Sequence, residues 1–189
     1  MGFRNREKEK KLLVGGNCSY EHVCAVLDSL LSDLEHTVHL GSSFDTYWRV
    51  RDPDMKGDFV RVRERDGIRQ VTVKGKDRPS GNLDRIEVDI ESTSSSRDIH
   101  RFLNCVLGRS VGVVRKIFKV WELESEYDTV CCYQVTEPEL ASIVIEVEAP
   151  SIARVVELEQ MVKSAFPTNL ITDAPGSLYE MLLQPRSKS

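Results

Sequence analysis

The stretch FVRVRERDGIRQVTVKGK, residues 59–76, sets the reading of the whole chain. In its first half Val60 and Val62 alternate with Arg61 and Arg63. At Asp66–Gly67 it meets a two-residue hairpin signal. In its second half Val71 and Val73 alternate with Gln70, Thr72, Lys74 and Lys76. Successive side chains of a strand point to opposite faces, so this pattern predicts two antiparallel strands with one apolar face and one charged face.

The same alternation recurs on both sides. RIEVDIE at 85–91 sets Arg85, Glu87 and Asp89 against Ile86, Val88 and Ile90, and IVIEVEA at 143–149 sets Glu146 and Glu148 against Ile145 and Val147. VVRKIFKVWEL at 113–123 and YDTVCCYQV at 127–135 form another expected hairpin. Near the start, REKEKKLLV at 6–14 reads as a strand with Glu7, Glu9 and Lys11 on one side and Lys8 and Lys10 on the other. That makes at least seven strands.

Three segments keep the helical period instead. The first follows Ser19 (Val23, Val26, Leu27, Leu30, Leu31, Leu34), and the second follows Ser96 (Ile99, Phe102, Leu103, Val106, Leu107, closed by Gly108). The third follows Pro150–Ser151 (Val155, Leu158, Met161, Val162, Ala165, stopped by Pro167), and a shorter helix is expected from Ser177 to Leu183. Their apolar stripes are read as core packing. Hairpins with helices inserted between them predict an antiparallel α+β fold.

At 189 residues the chain is expected to form one domain, 1–189. A net charge of −4 argues against a protein that coats DNA, and no DNA partner is expected. No apolar run is long enough to span a bilayer, so no membrane partner is expected. The odd count of 5 cysteines, without a CxxC pair, suits reduced thiols and a cytoplasmic setting. His22, His36, His39 and His100 form no pattern with the cysteines that would indicate a zinc site or a thiol nucleophile.

The polar faces of these strands carry full charges of both signs. Acids stand at Glu7, Glu9, Glu87, Asp89, Glu146 and Glu148; bases stand at Lys11, Arg61, Arg63, Lys74 and Arg85, with Lys76 and Lys116 beside them. If helices cover the apolar face outside, the charged face lines the concave side of a curling sheet. Carboxylates two residues apart on a strand suit a shared hard divalent cation, and Arg and Lys suit phosphate oxygens. From the pattern alone two readings stay open: a solvated or structural ion-pair face, or a site for metal-bound phosphate chains.

Read in order, these landmarks resemble the CYTH superfamily, or triphosphate tunnel metalloenzymes. Glu7-Lys8-Glu9-Lys10-Lys11 is similar to its N-terminal ExExK, DTYW at 45–48 to its DxYY stretch, and FVRVR at 59–63 to its LRLR strand. VTVKGK at 71–76 is similar to its LTxKGP strand, RIEVD at 85–89 to RxExE, IEVE at 145–148 to its late EIE strand, and SLYEMLL at 177–183 to its SYxxLL ending.

The resemblance implies an eight-stranded antiparallel β-barrel, open as a tunnel, with amphipathic helices packed outside and a triphosphate inside. It implies Mg²⁺ or Mn²⁺ held by Glu7, Glu9, Glu87, Asp89, Glu146 and Glu148. It implies phosphate contacts from Lys11, Arg61, Arg63, Lys74, Arg85 and Lys116, with Glu9, Glu148 and Lys74 as the catalytic groups. The implied reaction is hydrolysis of inorganic triphosphate, a nucleoside triphosphate or thiamine triphosphate by a metal-associated water, without a covalent nucleophile.

Two positions depart from the family pattern. Where KxR is usual, RKIFKVW offers Lys116 but has Phe118 in place of the Arg, and Lys119 falls on the other face of a regular strand. The strand before IEVE carries VCCYQV in place of an inward Asp, with Asp128 upstream. Competing readings are a class IV-type adenylate cyclase, a tunnel that binds nucleotide or polyphosphate without turnover, and an RNA 5′-triphosphatase, for which no basic surface run is evident. A monomer or a homodimer is expected.

Overall fold

The computed structural model describes residues 8–51, 57–65, 67–75, 87–123 and 128–183. Nine strands form one antiparallel sheet: β1 (Glu9–Val14), β2 (His36–Arg49), β3 (Gly57–Arg65), β4 (Ile68–Gly75), β5 (Glu87–Ser92), β6 (Gly112–Leu123), β7 (Thr129–Glu137), β8 (Ile143–Glu148) and β9 (Ile171–Asp173). Their order across the sheet is β5-β4-β3-β2-β6-β7-β8-β1-β9. Three helices, α1 (Tyr20–Leu31), α2 (Ser96–Leu107) and α3 (Ile152–Ser164), and a single π-helical turn, Tyr179–Leu183, complete the fold.

Each helix begins at a serine whose hydroxyl accepts a backbone N–H three residues on. Ser19 accepts from His22, Ser95 from Asp98 and Ser151 from Arg154. These bonds satisfy donors that a helix N-terminus would otherwise leave without partners. The cap of α2 is thus Ser95, one residue before the serine that the sequence pattern suggested.

The apolar faces of β1, β6, β7 and β8 pack against α1 and α3 around Leu12, Trp121, Val130, Ile145 and Val147, with Val23, Leu27, Val155 and Leu158 from the helices. Each fully buried side chain of this size stabilises the fold by about 1.5–3 kcal/mol relative to exposure. A second cluster places Ile99 and Leu103 of α2 on Trp48, Val60 and Val62. The stripe of α2 is narrower than its spacing suggested. Phe102 and Val106 are 65% and 58% exposed, because α2 meets the sheet along one edge only.

The charged faces lie on the concave side. Lys74 on β4 and Glu9 on β1 are six strand positions apart, which in a flat sheet would separate them by about 29 Å. Their side chains stand 3.9 Å apart. The sheet is therefore curled until its ends approach. No hydrogen-bonded ladder joins the two ends among the described residues, so the strands form a curled nine-stranded sheet, without the closed ring of eight that the resemblance implies.

The other departure is at the C-terminus. The turn Tyr179–Leu183 packs on the concave side, with Leu178 and Tyr179 against Tyr47, Phe59, Val114, Val135 and Val144. Its backbone winds with the π period where an ordinary helix was expected. Hydrocarbon therefore fills part of what the resemblance implies is an open tunnel.

Candidate functional site

What remains inside the curl is a cavity of about 650 Å³ whose wall takes residues from each of β1 to β8. Lys11, Arg61, Arg63, Lys74, Glu87, Asp89, Lys116, Glu146 and Glu148 all line it. Glu9, only 8% exposed, touches both Lys11 and Lys74. The alternation read from the sequence thus delivers these side chains to one space. Glu7 and Arg85, and with them Lys76, lie outside the described residues.

The charges fall into three groups. On β1 and β8, the Lys11 ammonium sits between the Glu9 carboxylate and that of Glu146, 3.1 Å from the latter, and the Tyr133 hydroxyl donates to Glu146 at 3.2 Å. On β3 to β5, Lys74 pairs with Glu87 at 2.7 Å, Arg61 reaches Glu87 at 3.6 Å and donates to Thr72 at 3.0 Å, and the Thr72 hydroxyl donates to Asp89. On β2 and β3, Arg63 clasps Asp45 through two hydrogen bonds of 2.9 and 2.8 Å.

Asp45 is the residue that reading the charged stretches passed over. Its side chain is fully buried, 0% exposed, and it anchors a cation expected to meet phosphate. Burial alone would raise its pKa, but the Arg63 guanidinium, with Lys116 and Arg61 behind it, holds it well below the ordinary carboxylate range. The signal available was DTYW, where Asp45 and Tyr47 share one parity and Thr46 and Trp48 the other.

Glu146 behaves likewise. Burial pushes its pKa up, yet Lys11, Lys116 and Lys74 outweigh this and keep it ionised well below the usual range. Lys116 goes the other way. Burial, reinforced by Arg63, brings its pKa down to about 8. Its ammonium lies 4.4 Å from the centroid of the Tyr133 ring and has no carboxylate within ion-pair distance among the described residues. Burying an ammonium without a carboxylate partner is costly.

The two departures from the family pattern also find places. Phe118 is on the concave side, with the Arg65 guanidinium 4.7 Å from its ring centroid, while Lys119 points outward and pairs with Asp28 of α1 at 2.6 Å. β6 runs against β2 without a register shift, and the irregularity beside Arg115 and Lys116 puts its extra residue, Thr136, on β7, so Lys119 stays on the outer face. Asp128 is buried on the helix side, bound by Arg154 of α3 at 2.7 Å. The inward position beside Glu146 belongs to Cys131, whose thiol burial pushes up to about 12.

Trp121 is core, its indole N–H donating to Asp28 at 3.0 Å. Tyr47 lies on the cavity wall, stacked on Tyr179 at 6.0 Å, with Phe59 4.7 Å from the same ring.

The donor set for a metal is carboxylate oxygen, the type that Mg²⁺ and Mn²⁺ prefer. Glu9 and Glu148 are register partners, and Glu146 is the partner of Lys11. Among the described residues no group of three or more His, Cys, Asp or Glu is gathered closely enough to hold an ion. Lys11 is already inserted between two of the expected ligands. The donor type fits a hard cation, and filling the site would require the Lys11 ammonium to move aside.

No protein-family model and no curated protein matches the sequence. Solved structures do match. PH1012 from Pyrococcus horikoshii OT3 superposes with a TM-score of 0.68 at 18% identity, covering 94% of this chain and 99% of its own. HpAC1 from Hippeastrum, a candidate adenylyl cyclase with a dominant triphosphatase activity, gives 0.64 at 14% identity, covering 93% and 94%. A chain of the Schizosaccharomyces pombe Mediator head module gives 0.61 at 14% identity, covering 84% and 93%. At these identities the likeness shows the fold alone. It is consistent with the CYTH resemblance of the motifs: over nearly its whole length, the chain shares the fold of PH1012 and HpAC1.

Proposed function

We propose that the protein is a metal-dependent phosphohydrolase that takes a triphosphate-containing substrate into the charged cavity. The observation that carries this reading is the convergence of Lys11, Arg61, Arg63, Lys74 and Lys116 on one concave space with Glu9 of β1 and Glu146 and Glu148 of β8. A volume of about 650 Å³ lies in the ordinary range of small-molecule sites. HpAC1, with its triphosphatase activity, supports the same class of reaction.

In this reading Lys116 and Arg61 bind phosphate oxygens, and Arg63 is held rigid for that task by Asp45. Lys74 stands over the leaving oxygen as a proton donor, and the carboxylates of Glu9 and Glu148 accept the proton of the attacking water. Glu9, Glu146 and Glu148, with Glu7, would hold Mg²⁺ or Mn²⁺, which when bound supplies Lewis acidity toward phosphoryl oxygen and water. Glu87 and Asp89, assigned to metal by the resemblance, are engaged here by Lys74, Arg61 and Thr72. They serve better as orienting groups.

A cyclase would need the same cradle plus room for a nucleobase. The aromatic wall at Tyr47 and Phe59 is occupied by Tyr179, which favours hydrolysis. Binding without turnover is the second reading, favoured by Phe118 on the concave side.

One assay separates the three. The protein is incubated with Mg²⁺ or Mn²⁺ and, separately, inorganic triphosphate, ATP and thiamine triphosphate. Orthophosphate supports hydrolysis, and cyclic AMP with pyrophosphate supports the cyclase. Thermal stabilisation by these ligands without product supports the binding protein. Glu9→Gln is expected to lower orthophosphate release by about a hundredfold or more, with little change in the circular-dichroism melt. Full activity in that variant would remove Glu9 from the catalytic set.

A further inference from the structure

β2 is longer than its neighbour. From Phe44 to Arg49 it pairs with β3, but from His36 to Ser43 its only ladder partner among the described residues is β6, because β3 ends at Arg65, one residue past the Phe44–Glu64 pair. Beyond the β3–β4 hairpin the curled wall therefore lacks a strand's width. A second cavity of about 360 Å³ lies in that notch. The gap explains why its lining mixes both faces of the sheet: Ser43, Arg65 and Lys116 come from the concave side, and Phe44 and Arg115 from the outer side. Lys116 lines this cavity and the main one alike.

The notch is built for an anion. Among the described residues Arg65, Arg69, Arg115 and Lys116 line it against one carboxylate, that of Glu64, which accepts the Ser96 hydroxyl at 2.6 Å. Among the described residues Arg69 commits its Nε to Ser96, at 2.8 Å, and Arg115 its Nε to Glu137, at 2.6 Å. The remaining guanidinium donors of those two residues stay available. The Arg115 guanidinium is braced over the Phe44 ring at 4.6 Å.

At the inner end two groups lack a hydrogen-bond or ion-pair partner among the described residues, although the Lys116 ammonium also meets the Tyr133 ring. Ser43 is 5% exposed and its hydroxyl has no hydrogen bond among the described residues, while its register partner Lys116 is a buried ammonium without a carboxylate. Buried polar groups left without partners are costly. A tetrahedral oxyanion seated between Ser43 Oγ and Lys116 Nζ, and facing Arg69 and Arg115, would satisfy both.

We propose that this notch is a second anion site, a side port through the wall of the curled sheet that binds inorganic phosphate. Binding here does not depend on hydrolysis in the main cavity. If hydrolysis occurs there, the port is where released orthophosphate is first held, because Lys116 faces both spaces.

The test measures inorganic phosphate binding to the full chain by calorimetry with EDTA present, alongside thermal stabilisation by inorganic triphosphate. Ser43→Ala is expected to weaken phosphate binding about tenfold, the worth of one hydrogen bond to a charged ligand, and Arg69→Gln to weaken it as well. Both are expected to leave triphosphate stabilisation unchanged, whereas Arg61→Gln should lower the latter and spare the former. The port is overturned if wild type binds no phosphate, or if Ser43→Ala and Arg69→Gln both bind it as wild type does. It is also overturned if Arg61→Gln abolishes phosphate binding. Phosphate binding that needs Ser43 and Arg69, in a protein that ignores triphosphate, would sustain the port and sink the hydrolase.

Discussion

Asp45 and Arg63 show what one pair of residues contributes. The carboxylate has no water to solvate it, and two hydrogen bonds to one guanidinium take water's place. Removing one partner of such a pair strands the other charge, so Asp45→Asn should lower unfolding free energy by about 3 kcal/mol, read from urea denaturation. Asp45→Asn/Arg63→Met should recover part of that loss, because no isolated charge is left. Lys116 supplies a pH signature. Its pKa near 8 lies below the ordinary 10.5, so between these values the unfolded chain binds more protons. The cost of burying the ammonium is present below about pH 8 and is relieved as pH rises toward 10.5. Anion binding follows the opposite course. Triphosphate affinity, measured by calorimetry with EDTA, should be level with respect to Lys116 below pH 8 and fall by up to about tenfold per unit above it. Lys116→Met should abolish that inflection and bind more weakly at pH 7.

Among the elements, β2 holds the sheet together, since it pairs with β6 along His36–Tyr47 and with β3 along Phe44–Arg49. It was also the strand least visible beforehand. HTVHLGSSFDTYWR breaks alternation at Gly41-Ser42-Ser43, and these small residues have a tertiary cause. A Cβ at Gly41 would stand 2.7 Å from the ring tip of Phe118 on β6, so the close approach of ring and backbone excludes a side chain there. Gly41→Ala should cost about 1–3 kcal/mol by overpacking, measured from the urea midpoint. Gly41→Ala/Phe118→Leu should regain most of it. The strands 59–65, 68–75 and 143–148 were legible because apolar and polar side chains alternate through them, broken on the polar face only at Phe59, Ile68 and Val144 near their ends. The turn Tyr179–Leu183 was legible as helical, but its place inside the curl was not, since an apolar stripe does not say which side of a sheet it will cover.

At the scale of the molecule, curling brings about the same number of positive and negative groups into one enclosure, and that sets its response to acid. Asp45 and Glu146 are both held below their ordinary values of 3.8 and 4.5. The stability they contribute is complete above those values and is lost as pH falls through them toward the lower folded-state values. The urea midpoint should therefore change little, as far as these two groups are concerned, from pH 7 to about 5 and drop below about pH 4. Asp45→Asn/Glu146→Gln should start from a lower midpoint and show a shallower drop. An equally steep decline in that variant would place the acid sensitivity in other carboxylates.

By itself the sequence determined which side chains share a face, because a strand's period of two and a helix's period of 3.6 are local geometry. It therefore identified Lys11, Arg61, Arg63, Lys74, Glu87, Asp89, Glu146 and Glu148 as candidates for one polar surface, and these residues line one cavity. Only the tertiary structure decided how far the sheet curls, that Asp45 is the anchor of Arg63, that Lys116 has no carboxylate at ion-pair distance among the described residues, and that the C-terminal turn enters the bore. These depend on pairings between strands far apart in the chain, where the outcome is set by shape and by exclusion of water rather than by the preference of any residue for its own backbone conformation.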